Sequence, residues 1–189
     1  KNANDMRSKD AQAVLLWKPT DQLTLRMRAW AFRNNQDYLQ VMSSVDPPYI
    51  LNQGTYSSYD KRGTNFFSNT LTYEAESFVV TNATSYQKTL PGGFGVIIPA
   101  NGAELVNGGS AHGFVNELRV ASAGQGPLHW VGGAYVQDAI GYYNFLVQIP
   151  TVFTVQGGTA TKTQNQSVFS EISYDMLDGR LVPLVGLRY

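Results

Sequence analysis

The chain has 189 residues, 14 basic and 14 acidic side chains, a formal net charge of zero and no cysteine. Neither sign of charge forms a run, which removes the footprint of a nucleic-acid binder, and the missing thiols remove disulfides, thiolate catalysis and cysteine metal sites. No stretch of about 18 apolar residues is present, so no transmembrane helix is expected, and residues 1–10 lack the pattern of a signal peptide.

The elements come in pairs. Residues 10–18 and 22–34 read as strands joined at Pro19-Thr20-Asp21. In the second, Leu23, Leu25, Met27, Ala29 and Ala31 share one face while Thr24, Arg26 and Arg28 share the other. Residues 64–74 and 77–88 form the next pair, turning at Ala75-Glu76, with Leu71 and Tyr73 opposite Thr70, Thr72 and Glu74. In the third pair, 113–122 and 128–143, residues 123–127 bring Gly and Pro to the turn, and Leu118 and Val120 stand against Glu117 and Arg119. The fourth pair, 166–177 and 181–189, turns at Asp178-Gly179, a strong hairpin signal, with Pro183 inside its second strand. Residues 181–189 stop while still reading as strand, which suggests a processed or incomplete chain.

Between the pairs lie 37–63, 89–112 and 144–165, each more than twenty residues long and rich in Gly, Asn, Thr, Ser or Pro. A compact domain usually connects its elements in about 4–6 residues. Short turns alternating with long loops suit an all-β, antiparallel up-and-down transmembrane barrel, with the turns in the periplasm and the loops outside. Arg26, Arg28, Glu74, Glu117 and Arg119 then face the lumen, where opposite signs can pair. Tyrosine is the commonest aromatic, at 11 against 9 Phe and 3 Trp, and Trp17, Trp30, Trp130, Tyr73 and Tyr174 are girdle candidates. Two other architectures fit the same alternation: a small closed barrel of eight strands with a structural or adhesive role, and a soluble β-sandwich binding module.

Catalytic and metal readings find little support. His112 and His129 are the only histidines, so a multi-histidine site is excluded. Ser85-Tyr86-Gln87-Lys88 matches a Ser-x-x-Lys pattern without its supporting motifs. Gly92-Gly93-Phe94-Gly95 opens no helix and reads as a loop tip. No enzymatic activity and no cofactor are expected.

Four stretches, in order, resemble the barrel of a TonB-dependent outer-membrane receptor. Trp17-Lys18-Pro19-Thr20-Asp21-Gln22-Leu23-Thr24-Leu25 is similar to a hairpin of that family, and Thr70-Leu71-Thr72-Tyr73 with Thr84-Ser85-Tyr86 to the next. Glu117-Leu118-Arg119, then Pro127-Leu128-His129-Trp130 and Tyr135, resemble a third segment. Phe169-Ser170-Glu171 with Tyr174-Asp175, through Gly186-Leu187-Arg188-Tyr189, resemble a fourth.

The resemblance implies that residues 1–189 are about eight strands of a larger barrel in the bacterial outer membrane. It implies uptake of a scarce nutrient of siderophore, cobalamin or saccharide class, with outer-membrane lipid, that ligand and the TonB complex as partners. The plug domain through which TonB acts has no counterpart in these residues. In such a receptor the outer loops recognise ligand. Tyr49, Asn52, Tyr56 and Tyr59, beside Gln53, are the candidates in 37–63, because aromatic rings stack and amides hydrogen-bond.

Overall fold

The computed structural model describes residues 5–37, 57–98, 103–124 and 126–189. They form one antiparallel sheet of eight strands in sequence order: β1 (Asp5–Trp17), β2 (Leu23–Asp37), β3 (Ser57–Glu74), β4 (Phe78–Ile98), β5 (Ala103–Ser122), β6 (Leu128–Ile149), β7 (Phe153–Tyr174) and β8 (Leu184–Arg188). Every strand pairs with its sequence neighbour, the signature of up-and-down topology.

The short-turn ends lie close to where the alternation puts them. Thr20 caps the first turn by accepting the Leu23 amide at 3.1 Å. The second is closed by the Ala75 amide on the Phe78 carbonyl at 2.9 Å. In the last, Met176 and Leu181 exchange backbone bonds around residues 177–180, and Pro183 stands just before β8, where a missing amide costs no ladder bond. Leu177 and Asp178 hold φ of 54° and 56° beside Gly179 at 78°. A left-handed leucine is costly, whereas asparagine tolerates that region. Leu177→Asn is therefore expected to raise stability by about 0.5–1 kcal/mol, read as a higher denaturant midpoint.

The opposite ends depart from the sequence reading. Residues 89–98, 103–112, 144–149 and 153–165 are strand, not loop, and 150–152 make a tight turn. Gly92-Gly93-Phe94-Gly95 accordingly lies inside β4. Glycine weakens a strand because it offers nothing to pack. Here cross-strand aromatics cover it: the rings of Tyr59, Phe145 and Phe169 lie over their direct partners Gly95, Gly157 and Gly133. The 22 residues of β6 and of β7 reach about 70 Å, far more than the 9–11 that cross a bilayer.

Neither alternative architecture is formed. The ends of the sheet do not meet: among the described residues β1 pairs with β2 and β8 with β7, so no eight-stranded barrel closes. No second sheet packs on this one, and Ala103 is the single buried apolar side chain among the described residues. Leu15, Trp17 and Ile172 stay 55–56% exposed. A soluble chain of this size buries most of its apolar surface, so the stability of this sheet depends on what lies against its faces.

Candidate functional site

Residues opposite one another in an antiparallel ladder point to the same face, so the register sorts the side chains. One row runs Arg26, Thr70, Ala83, Glu117, Tyr135, Ser167, and the row beyond it runs Arg28, Ser68, Ser85, Val115, Gln137, Asn165. Thr24, Thr72, Thr81, Arg119 and Arg188 share that face, as do Glu74 and Glu171. The register thus brings Arg26, Arg28, Glu74, Glu117 and Arg119 onto one face of the sheet.

The other face over the same length carries no Asp, Glu, Lys or Arg. The stretches 23–31 on β2, 65–73 on β3, 78–86 on β4, 114–122 on β5 and 128–136 on β6 are uncharged on this face, so each strand keeps it free of charge for at least nine residues. Leu25, Leu71, Leu118 and Val168 stand in one row of it, with Trp17 on β1. Three of its polar side chains bond to one another: the Asn116 amide donates to Thr84 Oγ1 at 2.7 Å and the Asn82 amide to Asn116 Oδ1 at 3.3 Å, while the neighbouring Asn69 Oδ1 is buried without a partner among the described residues.

The band runs obliquely to the hydrogen-bond rows. Its last member is Ala31 on β2, but following Ala31 across the pairs leads to Lys88 and His112, two residues past the end of the band on β4 and β5. On β6 the band ends at Val136, whose row reaches β2 at Met27, four residues below Ala31. Four residues of rise across four strand spacings tilt the band by about 35°, which matches strands inclined in a bilayer.

Hydrogen bonds tie the charged face together. Arg28 donates to Gln12 at 3.2 Å, the Asn165 amide to Gln137 at 2.8 Å, and Arg188 to Ser167 at 3.1 Å. Trp30 belongs here and not to an aromatic girdle, since its indole donates to both Asp10 oxygens at 2.9 and 3.0 Å and stacks on Phe32. Trp17, Tyr73, Trp130 and Tyr174 stand on the uncharged face near the turns. Glu117 and Arg119 do not pair with each other. Ser85 and Lys88 lie on opposite faces, which dismantles the Ser-x-x-Lys pattern. His129 meets only Asp175, at 3.1 Å, and no group of three metal-binding side chains occurs among the described residues.

Above these rows the charged face opens into a groove of about 400 Å³, lined by Ser85, Gln87, Gln137 and Thr163 around Gly113 and Ala139. Beyond the groove its character changes. Phe94 and Val96 on β4, Leu105 on β5, Tyr143, Phe145 and Val147 on β6, and Phe153 and Val155 on β7 continue the same face, so polar side chains give way to an apolar and aromatic wall. The Asp60–Arg62 ion pair, at 2.8 Å, stands beside it on β3.

Sequence reasoning missed this wall because it lies in residues assigned to loops. The signal was present as the alternations Phe94-x-Val96 and Tyr143-x-Phe145-x-Val147, obscured by neighbouring glycines. Of the loop candidates, Tyr59 sits within β3 on the opposite face, its ring over Gly95 and 5.4 Å from Lys61 Nζ. Tyr49, Asn52 and Tyr56 lie outside the described residues.

Neither a known protein family nor a curated relative matches this sequence. The fold resembles the crystal structure of the ferric yersiniabactin uptake receptor FyuA from Yersinia pestis, with a TM-score of 0.72 at 19% identity. The likeness is one of fold. It takes in 97% of this chain and 29% of the receptor, so these residues span less than a third of that receptor's length.

Proposed function

We propose that the chain forms part of the wall of a TonB-dependent receptor in the bacterial outer membrane, importing a scarce nutrient. One observation carries the reading: five neighbouring strands keep one face uncharged for at least nine residues each, while the other face over that stretch holds Arg26, Arg28, Glu74, Glu117 and Arg119. Nine residues per tilted strand is the span of a hydrocarbon core, and only a wet lumen solvates the opposing charges. The likeness to an uptake receptor supports the same conclusion.

In this reading the strand extensions rise above the bilayer and their aromatic wall meets the ligand, of siderophore, cobalamin or saccharide class. Aromatic faces stack on such molecules at small entropic cost. TonB acts through a plug domain outside these residues. The test is fractionation of cells producing the native protein, followed by saturation binding of labelled ferric siderophores, cobalamin and oligosaccharides to the outer-membrane fraction. Recovery with the outer membrane and saturable binding of one ligand are expected; recovery in the soluble fraction defeats the proposal.

A further inference from the structure

The uncharged band ends on cations. Moving toward the long hairpins on that face, the first charged residue is Lys9 on β1, Arg33 on β2, Lys61 on β3, Lys88 on β4 and Lys162 on β7. Asp138 on β6 and Glu104 on β5 are the exceptions, and Asp138 is already engaged by the Gln164 amide at 2.8 Å. Balanced composition across the whole chain hides this asymmetry, because it exists on one face at one height.

The cations concentrate around Gly63. Lys9 and Arg33 are direct partners, Arg33 is opposite Gly63, Lys61 lies two residues from Gly63 on β3, and Lys88 is opposite Asn65. The Arg33 stem lies across Gly63, and its guanidinium donates to the Thr64 carbonyl at 3.1 Å and Asn65 Oδ1 at 2.8 Å, neutral acceptors that hold it in place without cancelling its charge. The ammonium of Lys61 stands over the Tyr59 ring. Asp60 and Arg62, which neutralise one another, belong to the opposite face. In the register Asp37 is opposite Tyr59, two residues from Lys61 on β3.

We propose that Arg33, Lys61 and Lys88, with Lys9 beside them, bind phosphate groups of lipid headgroups in the leaflet that borders the long hairpins. The proposal rests on the membrane reading above. At the edge of a band as tall as the hydrocarbon core these side chains reach headgroup height. They face away from the groove, so a ligand held there does not meet them. Clustered Lys and Arg at a membrane boundary attract anionic lipid, and guanidinium adds directional donors for phosphate.

The experiment is native mass spectrometry of the purified native protein in detergent, titrated with bis-phosphorylated lipid A and with the same lipid stripped of both phosphates. Wild type is expected to retain the phosphorylated lipid at least tenfold more tightly. The combined R33Q, K61Q and K88Q variant is expected to lose about a hundredfold in that affinity and nothing toward the stripped lipid. K88Q alone, at an exposed position that no fold contact needs, is expected to lose about fivefold and covers the case in which the triple variant fails to fold. Unchanged binding by both variants overturns the proposal. Displacement of the lipid by an equal concentration of inorganic phosphate also overturns it, in favour of a free-anion site. A protein that stays monomeric without detergent and ignores both lipids overturns the membrane reading, a result separable from the other two.

Discussion

Leu118→Arg is expected to remove about 2–4 kcal/mol of stability when the native protein is unfolded reversibly from lipid vesicles, the largest loss for a charge near a bilayer midplane. Leu118 is the central residue of 114–122 on β5 and remains 43% exposed, so the new guanidinium meets whatever covers that face. Its row, Leu25, Leu71, Asn82, Leu118, Ala134, offers no carboxylate. The companion change is Ala83→Arg, on the charged face and directly opposite Glu117. There the charge gains a partner and stays hydrated, and the expected cost is under about 1 kcal/mol. Equal costs at the two sites defeat the assignment of faces, because a change of similar size and chemistry then fails to distinguish lipid from water.

What the sequence made legible follows from where its physics is strongest. Within the band, alternation is clean on β2, where Leu23 to Ala31 set against Thr24, Arg26 and Arg28 is sufficient to read both faces, whereas β4 and β6 are mixed, with Val79 and Val131 on the charged face. The turn ends are likewise local: Pro19-Thr20-Asp21 and Asp178-Gly179 announce themselves. Past the band that constraint lapses, and residues 89–112 and 144–165 resemble loops in composition although they are largely strand. Trp30 shows a second limit. Parity alone put it beside Arg28, but a girdle preference for tryptophan pointed the other way, and only Asp10 across the β1–β2 pair explains why an indole belongs on the charged face. The cationic cluster is a third case, because Arg33, Lys61 and Lys88 come together through pairing between strands. No local window of sequence contains all three.

The glycines of the strand extensions lead to the last expectation, that Gly93→Ala costs about 2–3 kcal/mol and opens the outer part of the β4–β5 hairpin. Gly93 pairs with Gly108 and neighbouring Gly92 with Gly109, just past the irregularity between Thr89 and Gly92 that contains Pro91. A Cβ on Gly93 overlaps the Asn107 carbonyl oxygen and stands 2.6 Å from the Gly108 Cα. Both are backbone atoms, so no side-chain rotation relieves the contact and the strands must move apart. Gly186 is the control, since its nearest neighbour, the Ser170 carbonyl oxygen, lies at 3.5 Å and an added methyl group fits. Hydrogen exchange on the native protein separates the effects: Gly93→Ala is expected to deprotect amides of residues 92–98 and 103–109 while those of 78–86 and 114–122 remain slow. If the shorter strand region opens as well, the extensions and the band form one cooperative unit. If only the extension opens, the wall carrying Phe94, Leu105 and Phe145 can rearrange while the band below holds its register.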